Sequence, residues 1–209
     1  MQQETQFDLI VVGGGTAGAF SAIAAAREGL KVAVVERGTC LGGLAASSGL
    51  TEMNAAGFQG APLYRGIERE VFDRLIWGGH AAYHFAVPMS SNKEVKIDRL
   101  RYDPERLKLL LEQLAVEAGI TLLYETELTA AREGEEECQI TARGPYQEIA
   151  LSGKYLIDAT GNASLVQALG GETEAVDERE RMIATLMFRI SNVDLDQLDA
   201  FIHSPRLGE

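Results

Sequence analysis

Gly13-Gly14-Gly15-Thr16-Ala17-Gly18 sets three glycines at a GxGxxG spacing directly after the apolar run Leu9-Ile10-Val11-Val12. The chemistry open to such a turn is the reception of a phosphate. Gly13 permits a tight turn off a strand, and Gly15 lets a pyrophosphate approach the backbone without meeting a Cβ. Gly18 lets the following helix pack closely. With Thr16 and Ala17, these residues place the free N–H groups and positive dipole end of a helix against the anion. Glu36 closes a second apolar run, Val32–Val35, at 18 residues beyond Gly18. That is near the spacing at which a carboxylate meets ribose hydroxyls. Glycine clusters also make ordinary turns, but this one has a strand before it, a helix after it and an acid at the next strand end.

Acid–base candidates are weaker. His80, Tyr83 and His84 fall in an aromatic segment that could cap a bound ring, where a histidine could take a substrate proton; packing or surface histidines are the alternative. His203 has no supporting pattern. Cys40 sits beside the doublet Gly42-Gly43, and Cys138 reads as structural.

The elements that must hold these residues follow from periodicity. Leu9–Val12 and Val32–Val35 do not alternate with polar residues, so both read as buried parallel strands. The alanine-rich stretch from Ala17 to Glu28 reads as a helix stopped at Gly29. A glycine- and serine-rich loop follows from Arg37 to Gly49. Leu63, Ile67, Val71 and Leu75 recur every four residues and predict a helix ending near Trp77, and 80–88 reads as a strand or a cap. Asp103-Pro104 is a cap and first-turn pair before an apolar stripe, Leu107, Leu110, Leu111, Leu114 and Ala118. Ile120–Tyr124 is a further strand. Thr126 to Gly153, with turns at Gly134 and Gly144-Pro145, predicts a three-stranded antiparallel meander. Lys154–Ile157 returns as a parallel strand into Asp158-Ala159-Thr160-Gly161, where Asp158 could hold the turn through local N–H groups. A short helix spans roughly Ser164 to Leu169, Met182–Ile190 reads as a strand, and a helix is possible after it. The fold class is α/β: a parallel sheet with helices on one or both faces, a meander, and the start of a second β-containing domain. Residues 1–171 form the dinucleotide domain, with an insert over about 50–101, and 172–209 begin the second.

Composition excludes several classes. The net charge of −12 disfavours nucleic acid and anionic membranes as partners. No apolar run reaches membrane-spanning length, and MQQETQFD lacks the basic region of a secretory signal. Two cysteines without a CxxC spacing offer neither a disulfide framework nor a zinc pattern, so a reducing, cytoplasmic setting is expected.

The order GxGxxG, acidic strand end, glycine doublet, helix, strand, meander and Ala-Thr-Gly resembles the FAD-dependent oxidoreductases of the glutathione-reductase-like superfamily, whose FAD domain is Rossmann-like. DATGNASLVQALGG is similar to their general FAD-dependent branch. The resemblance implies FAD as cofactor and hydride transfer with a small-molecule substrate. It implies pyrophosphate contacts at Gly13, Gly15, Thr16, Ala17 and Gly18, ribose at Glu36, and adenine bordered by Arg37 and the backbone of Leu128. Gly42, Gly43 and Leu44 would follow the ribityl chain, and Ala159, Thr160 and Gly161 would close over the cofactor. GxGxxG and Glu36 serve NAD(P) as well, which leaves a nicotinamide enzyme as the rival. Members of that superfamily run longer, so a fragment, a second polypeptide completing the substrate domain, and a short member all stay open.

Overall fold

A computed structural model of the protein describes residues 5–58, 60–89, 92–174, 176–177, 179–181 and 184–203. The first strand, β1 (Gln6–Val12), runs through the middle of a six-stranded sheet. Beside it lie β2 (Val32–Val35) and β7 (Thr121–Leu123) on one side. On the other lie β10 (Glu148–Asp158), β9 (Cys138–Arg143) and β8 (Glu127–Arg132). The pairings among β7, β2, β1 and β10 are parallel. Leu9, Ile10, Val11 and Val12 are all under 5% exposed, which is why the run needs no polar alternation. Leu9 and Val11 face one core with Ile23, Val34, Leu111 and Leu114. Ile10 and Val12 face another with Ala33, Val35, Ile140, Leu151 and Leu165.

Helices α1 (Thr16–Arg27) and α4 (Pro104–Glu117) cover the first face with Ala19, Ala22, Ile23, Leu107, Leu111 and Leu114. Asp103 caps α4 by accepting from the Glu105 N–H at 2.9 Å, as its sequence position predicts. Helix α3 (Gly66–Trp77) buries Val71, Phe72 and Leu75, whereas Leu63 precedes the helix and is exposed. The apolar recurrence therefore begins one step before the helix does.

The meander and the returning parallel strand are joined more directly than their sequences suggest. Strand β10 is a single element. Glu148–Gly153 pairs antiparallel with β9, and Ser152–Asp158 pairs parallel with β1. Gly153 sits where the two regimes meet, and a Cβ there would stand 3.1 Å from two side-chain atoms of Ile10.

A second, antiparallel sheet of order β4-β3-β6-β5 is built from β3 (Glu52–Phe58), β4 (Ala61–Pro62), β5 (Ala81–Pro88) and β6 (Lys96–Tyr102). It draws on residues 52–102, where the sequence offers a strand or a cap over 80–88 and no other strand. A register shift at Met53/Gly57 breaks the alternation of β3, a buried Asp98 breaks that of β6, and a second shift at His84/Val87 lies in β5 itself. Asp98, 2% exposed, sits between both irregularities. Its carboxylate accepts from the Gly60 N–H at 2.7 Å and from the Ala86 N–H at 2.9 Å, and Ala86 has φ 54°. The strand expected over Met182–Ile190 does not form among the described residues. Met182 and Ile183 lie outside them, and 184–190 has no ladder partner, with Leu186 and Phe188 exposed. Helix α6 (Leu195–Ile202), capped by Asp194, leaves Leu195, Leu198, Phe201 and Ile202 exposed. Among the described residues no helix is long and apolar enough to cross a membrane.

At the far end of β10, Asp158 locks the turn into α5 (Ser164–Ala168). It accepts from the Thr160 N–H at 2.9 Å, the Thr160 hydroxyl at 2.6 Å and the Val166 N–H at 2.9 Å. Burial pushes its carboxyl up, but these hydrogen bonds outweigh it and hold the group below the usual carboxylate range. The folded pKa is depressed, so the stabilisation is present above the unfolded value of about 3.9 and fades as pH falls through the lower folded value.

Two outcomes follow for the scaffold. Asp158→Asn should cost about 1.5–3 kcal/mol at neutral pH, and the gap from the parent should close below about pH 4. A pH-independent gap in urea midpoints would contradict this. Asp98→Ala strands two N–H donors and should cost about 2–3 kcal/mol; a midpoint unchanged within error would show that the staple carries no weight.

Candidate cofactor cradle

Every residue assigned to the phosphate turn lies at the C-terminal edge of β1 and β10. Gly13 donates to the Val35 carbonyl at 2.8 Å and turns at φ 100°. A Cβ on Gly13 would stand 2.3 Å from the Ala159 carbonyl oxygen, so the Ala159-Thr160 backbone lies directly against the turn. The Ala159 N–H, in turn, donates to the Val12 carbonyl at 2.8 Å. A Cβ on Gly18 would stand 1.9 Å from the Gly13 carbonyl oxygen, which sets how closely α1 sits on the turn. Gly15 is different. No protein atom lies within 4 Å of where its Cβ would be, and α1 begins there with no side-chain cap. The first-turn N–H groups of α1, around Thr16 and Ala17, are therefore left to an incoming acceptor.

The glycine doublet completes the cradle from the other side. The Gly42 N–H donates to the Gly14 carbonyl at 2.8 Å, and the Thr16 hydroxyl donates to the Gly42 carbonyl at 3.4 Å. A Cβ on Gly43 would come 2.9 Å from the Gly15 Cα, and both residues of the doublet have positive φ. Leu44 then opens the short helix α2 (Leu44–Ser47) with its side chain exposed. Three separate stretches thus meet backbone to backbone, and Gly161, at φ 80° with open space over its Cβ position, forms the third lip. The Thr160 hydroxyl is committed within its own turn. It donates to Asp158 and accepts from the Ser164 N–H at 2.9 Å.

Glu36 ends β2 with both carboxylate oxygens in use. One accepts from the Gly14 N–H and the other from the Gly38 N–H, each at 2.5 Å. Each oxygen keeps a further lone pair that a ribose hydroxyl could share. Beyond Glu36 opens a cleft of about 600 Å³ lined by Arg37, Gly38, Thr39, Glu125, Glu127, Arg143 and Gly144. Leu128 itself packs against the core that holds Ile10 and Val12, and its neighbour Glu127 lines the cleft wall. Glu125 reverses the chain at φ 51° and donates its N–H to the Gly38 carbonyl at 2.9 Å. Glu125, Glu127 and Arg143 gave no sequence signal, because they come together only when the meander folds back beside β2. Tyr124 is equally unannounced. Burial first, then the charge of Glu112, pushes its phenol up to about 12.

A second cleft, of about 280 Å³, follows the doublet and is lined by Ala46–Gly49, Pro104, Glu105, Lys108 and Met187–Arg189. Neither cleft is lined by the acid–base candidates. The His80 N–H closes the end of α3 on the Leu75 carbonyl at 2.8 Å. The Tyr83 hydroxyl shares a short hydrogen bond with that of Tyr64, whose ring meets Phe72 edge-on at 4.6 Å. Burial, then the Tyr83 bond, raises the Tyr64 phenol far above its ordinary value. His84 is exposed opposite Arg99. Cys40 sits 3.4 Å from the Ser47 hydroxyl at the loop surface, Cys138 is in β9, and His203 ends α6, exposed.

Against known proteins, the FAD dependent oxidoreductase family matches residues 8–207. Among solved structures, BexE, studied for oxidation during BE-7585A biosynthesis, superposes with a TM-score of 0.57 at 21% identity, over 78% of this chain and 33% of its own. The p-nitrophenol 4-monooxygenase PnpA from Pseudomonas putida DLL-E4 gives 0.58 at 16% identity, over 82% of this chain and 45% of its own. The flavin-dependent monooxygenase PieE, solved with FAD and substrate, gives 0.55 at 17% identity, over 80% and 32%. These likenesses show a shared fold, and the chain spans a third to under half the length of those structures. No curated protein sequence matches it. The family match runs through the glycine turns, the doublet and the Ala-Thr-Gly lip alike, and the protein belongs to the FAD-dependent oxidoreductases, with FAD as its cofactor.

Proposed function

We infer that the cradle holds FAD extended from the Glu36 side toward Leu44, and that the protein passes hydride between a small organic substrate and the flavin. The observation that carries this reading is Gly15, whose Cβ position is empty of protein while its neighbouring glycines are packed tight. A bound flavin supplies the two-electron chemistry. The chain's own part is to bind and orient. The Gly14 and Gly15 turn and the start of α1 receive the pyrophosphate, Glu36 shares its carboxylate with the ribose, and Arg37 and Glu127 bound the adenine. Exposed Leu186, Phe188, Ile190, Leu198 and Phe201 support a further polypeptide that covers them and completes the substrate domain. On that reading the isolated chain turns over no substrate until the second polypeptide is supplied, and turnover by the chain alone would refute it. A cytoplasmic setting fits the two unpaired cysteines.

The glycines make the binding mode testable. Gly15 has φ −60° and ψ −177°, a conformation any residue adopts. Gly15→Val should therefore leave the melting temperature near the parent's and abolish flavin absorbance, because its side chain fills the phosphate approach. Gly18→Ala should instead lose the fold, since its methyl meets the Gly13 carbonyl. Glu36→Ala should weaken FAD by about 1.5–3 kcal/mol, roughly 10- to 150-fold in Kd. Normal flavin loading in Gly15→Val would remove the phosphate from this turn.

A further inference from the structure

The loop from Arg37 to Gly49 lays out the cofactor's direction. Arg37, Gly38 and Thr39 line the first cleft, Gly42 and Gly43 touch the phosphate turn, and Ala46–Gly49 line the second cleft. Glu36 accepts from the N–H of Gly38 in the wall of the first cleft, and on the FAD reading above it marks the ribose and hence the adenosine end. The doublet leads directly into α2, whose Ala46 and Ser47 line the second cleft, so that cleft is the one open to the other end of a dinucleotide whose pyrophosphate sits at Gly15.

That cleft is electrostatically unlike the protein as a whole. The chain carries a net charge of −12, yet the charged residues lining this cleft are Lys108, Arg189 and Glu105, two cations and one anion. The Lys108 ammonium lies 2.8 Å from Glu105, whose hydrogen bond holds it above its ordinary pKa and so charged, while the nearby Arg189 charge opposes. Arg189 makes no ion pair among the described residues. Pro104 and Glu105 begin α4, so the cleft also receives the positive end of that 14-residue helix. The remaining polar walls, Ser47 and Ser48, are neutral.

We propose that the second cleft seats the ring end of FAD, and that Lys108 and Arg189 are the cations that favour its reduced form. This rests on the FAD reading above. Taking up one hydride, two electrons and a proton, from an organic substrate adds one negative charge to a neutral ring. The substrate loses that hydride and, with a proton to solvent, leaves two electrons oxidised. Lys108, paired with Glu105, and the exposed Arg189 both line this cleft, would meet the added charge by direct approach, and so would bind the reduced cofactor more tightly than the oxidised one. Neither residue touches the adenosine cleft, so oxidised FAD should depend on them far less.

The test compares parent protein with Lys108→Met, Arg189→Met, the double variant and Lys108→Arg, each loaded with FAD. Titration with dithionite against a reference dye gives the two-electron potential, and fluorescence titration of apoprotein gives the affinity for oxidised FAD. The double variant should lose at least about ten-fold in affinity for reduced relative to oxidised FAD. That equals a fall of about 30 mV for two electrons. Oxidised FAD should bind within about two-fold of parent, and Lys108→Arg should keep the parent potential. Equal potentials in parent and double variant, with FAD still bound, would overturn this inference and leave the FAD reading intact. A parent protein that binds no FAD would overturn the reading beneath it.

Discussion

Backbone pressed against backbone without intervening Cβ atoms is the constraint on which this structure turns. The Gly13 turn lies under the Ala159 carbonyl, Gly18 lies against the Gly13 carbonyl, and Gly43 lies over Gly15. Each contact is closer than any side-chain-bearing residue allows. Together they bring peptides from three distant parts of the chain side by side, the arrangement on which the proposed cradle rests. Side chains elsewhere serve this arrangement. Asp158 fixes the third turn through Thr160 and Val166, Glu36 ties Gly14 to Gly38, and the Tyr102 hydroxyl donates to the Ala45 carbonyl just past the doublet at 2.8 Å.

The same device answers an electrostatic difficulty. An acidic protein must hold a dianionic pyrophosphate, and no lysine or arginine stands in the glycine turn. Peptide N–H groups and a helix end supply positive potential that does not depend on net charge. A carboxylate can then sit beside the site, as Glu36 does, provided donors surround it. In the first cleft Arg37 and Arg143 stand against Glu125 and Glu127, whereas in the second Lys108 and Arg189 stand against Glu105 alone.

Much of this was legible from residue order. Unbroken apolar runs at Leu9–Val12 and Val32–Val35, with glycines at fixed offsets, specify a βαβ unit because period and turn chemistry agree. Asp103-Pro104 marked the start of α4 for the same reason. The insert was not legible. A register shift interrupts the alternation of β3 and a buried Asp98 interrupts that of β6, so the pattern of a sheet was lost around the strand or cap read at 80–88 although the sheet exists. Lys154–Ile157 was recognised as a strand but not as a continuation of the meander, since pairing partners change at Gly153 without any change in composition. The apolar stretch 184–190 has strand-like residues but no neighbour among the described ones to pair with. For the site, the proposed backbone contacts follow from glycine spacing, which the fold brings together at Gly13, Gly15, Gly18 and Gly43. The walls of the two clefts do not follow from it, because Glu125, Arg143, Lys108 and Arg189 converge only through tertiary folding.

The central claim is that the three turns form one cradle rather than three coincidentally adjacent loops. Amide hydrogen exchange on the protein with and without added FAD tests it directly. The account predicts that peptides covering Gly13–Gly18, Gly42–Gly49 and Ala159–Gly161 gain protection together, at the same FAD concentration, while α3 and β5 are unchanged. Protection confined to Gly13–Gly18, with the other two turns exchanging as before, would contradict it.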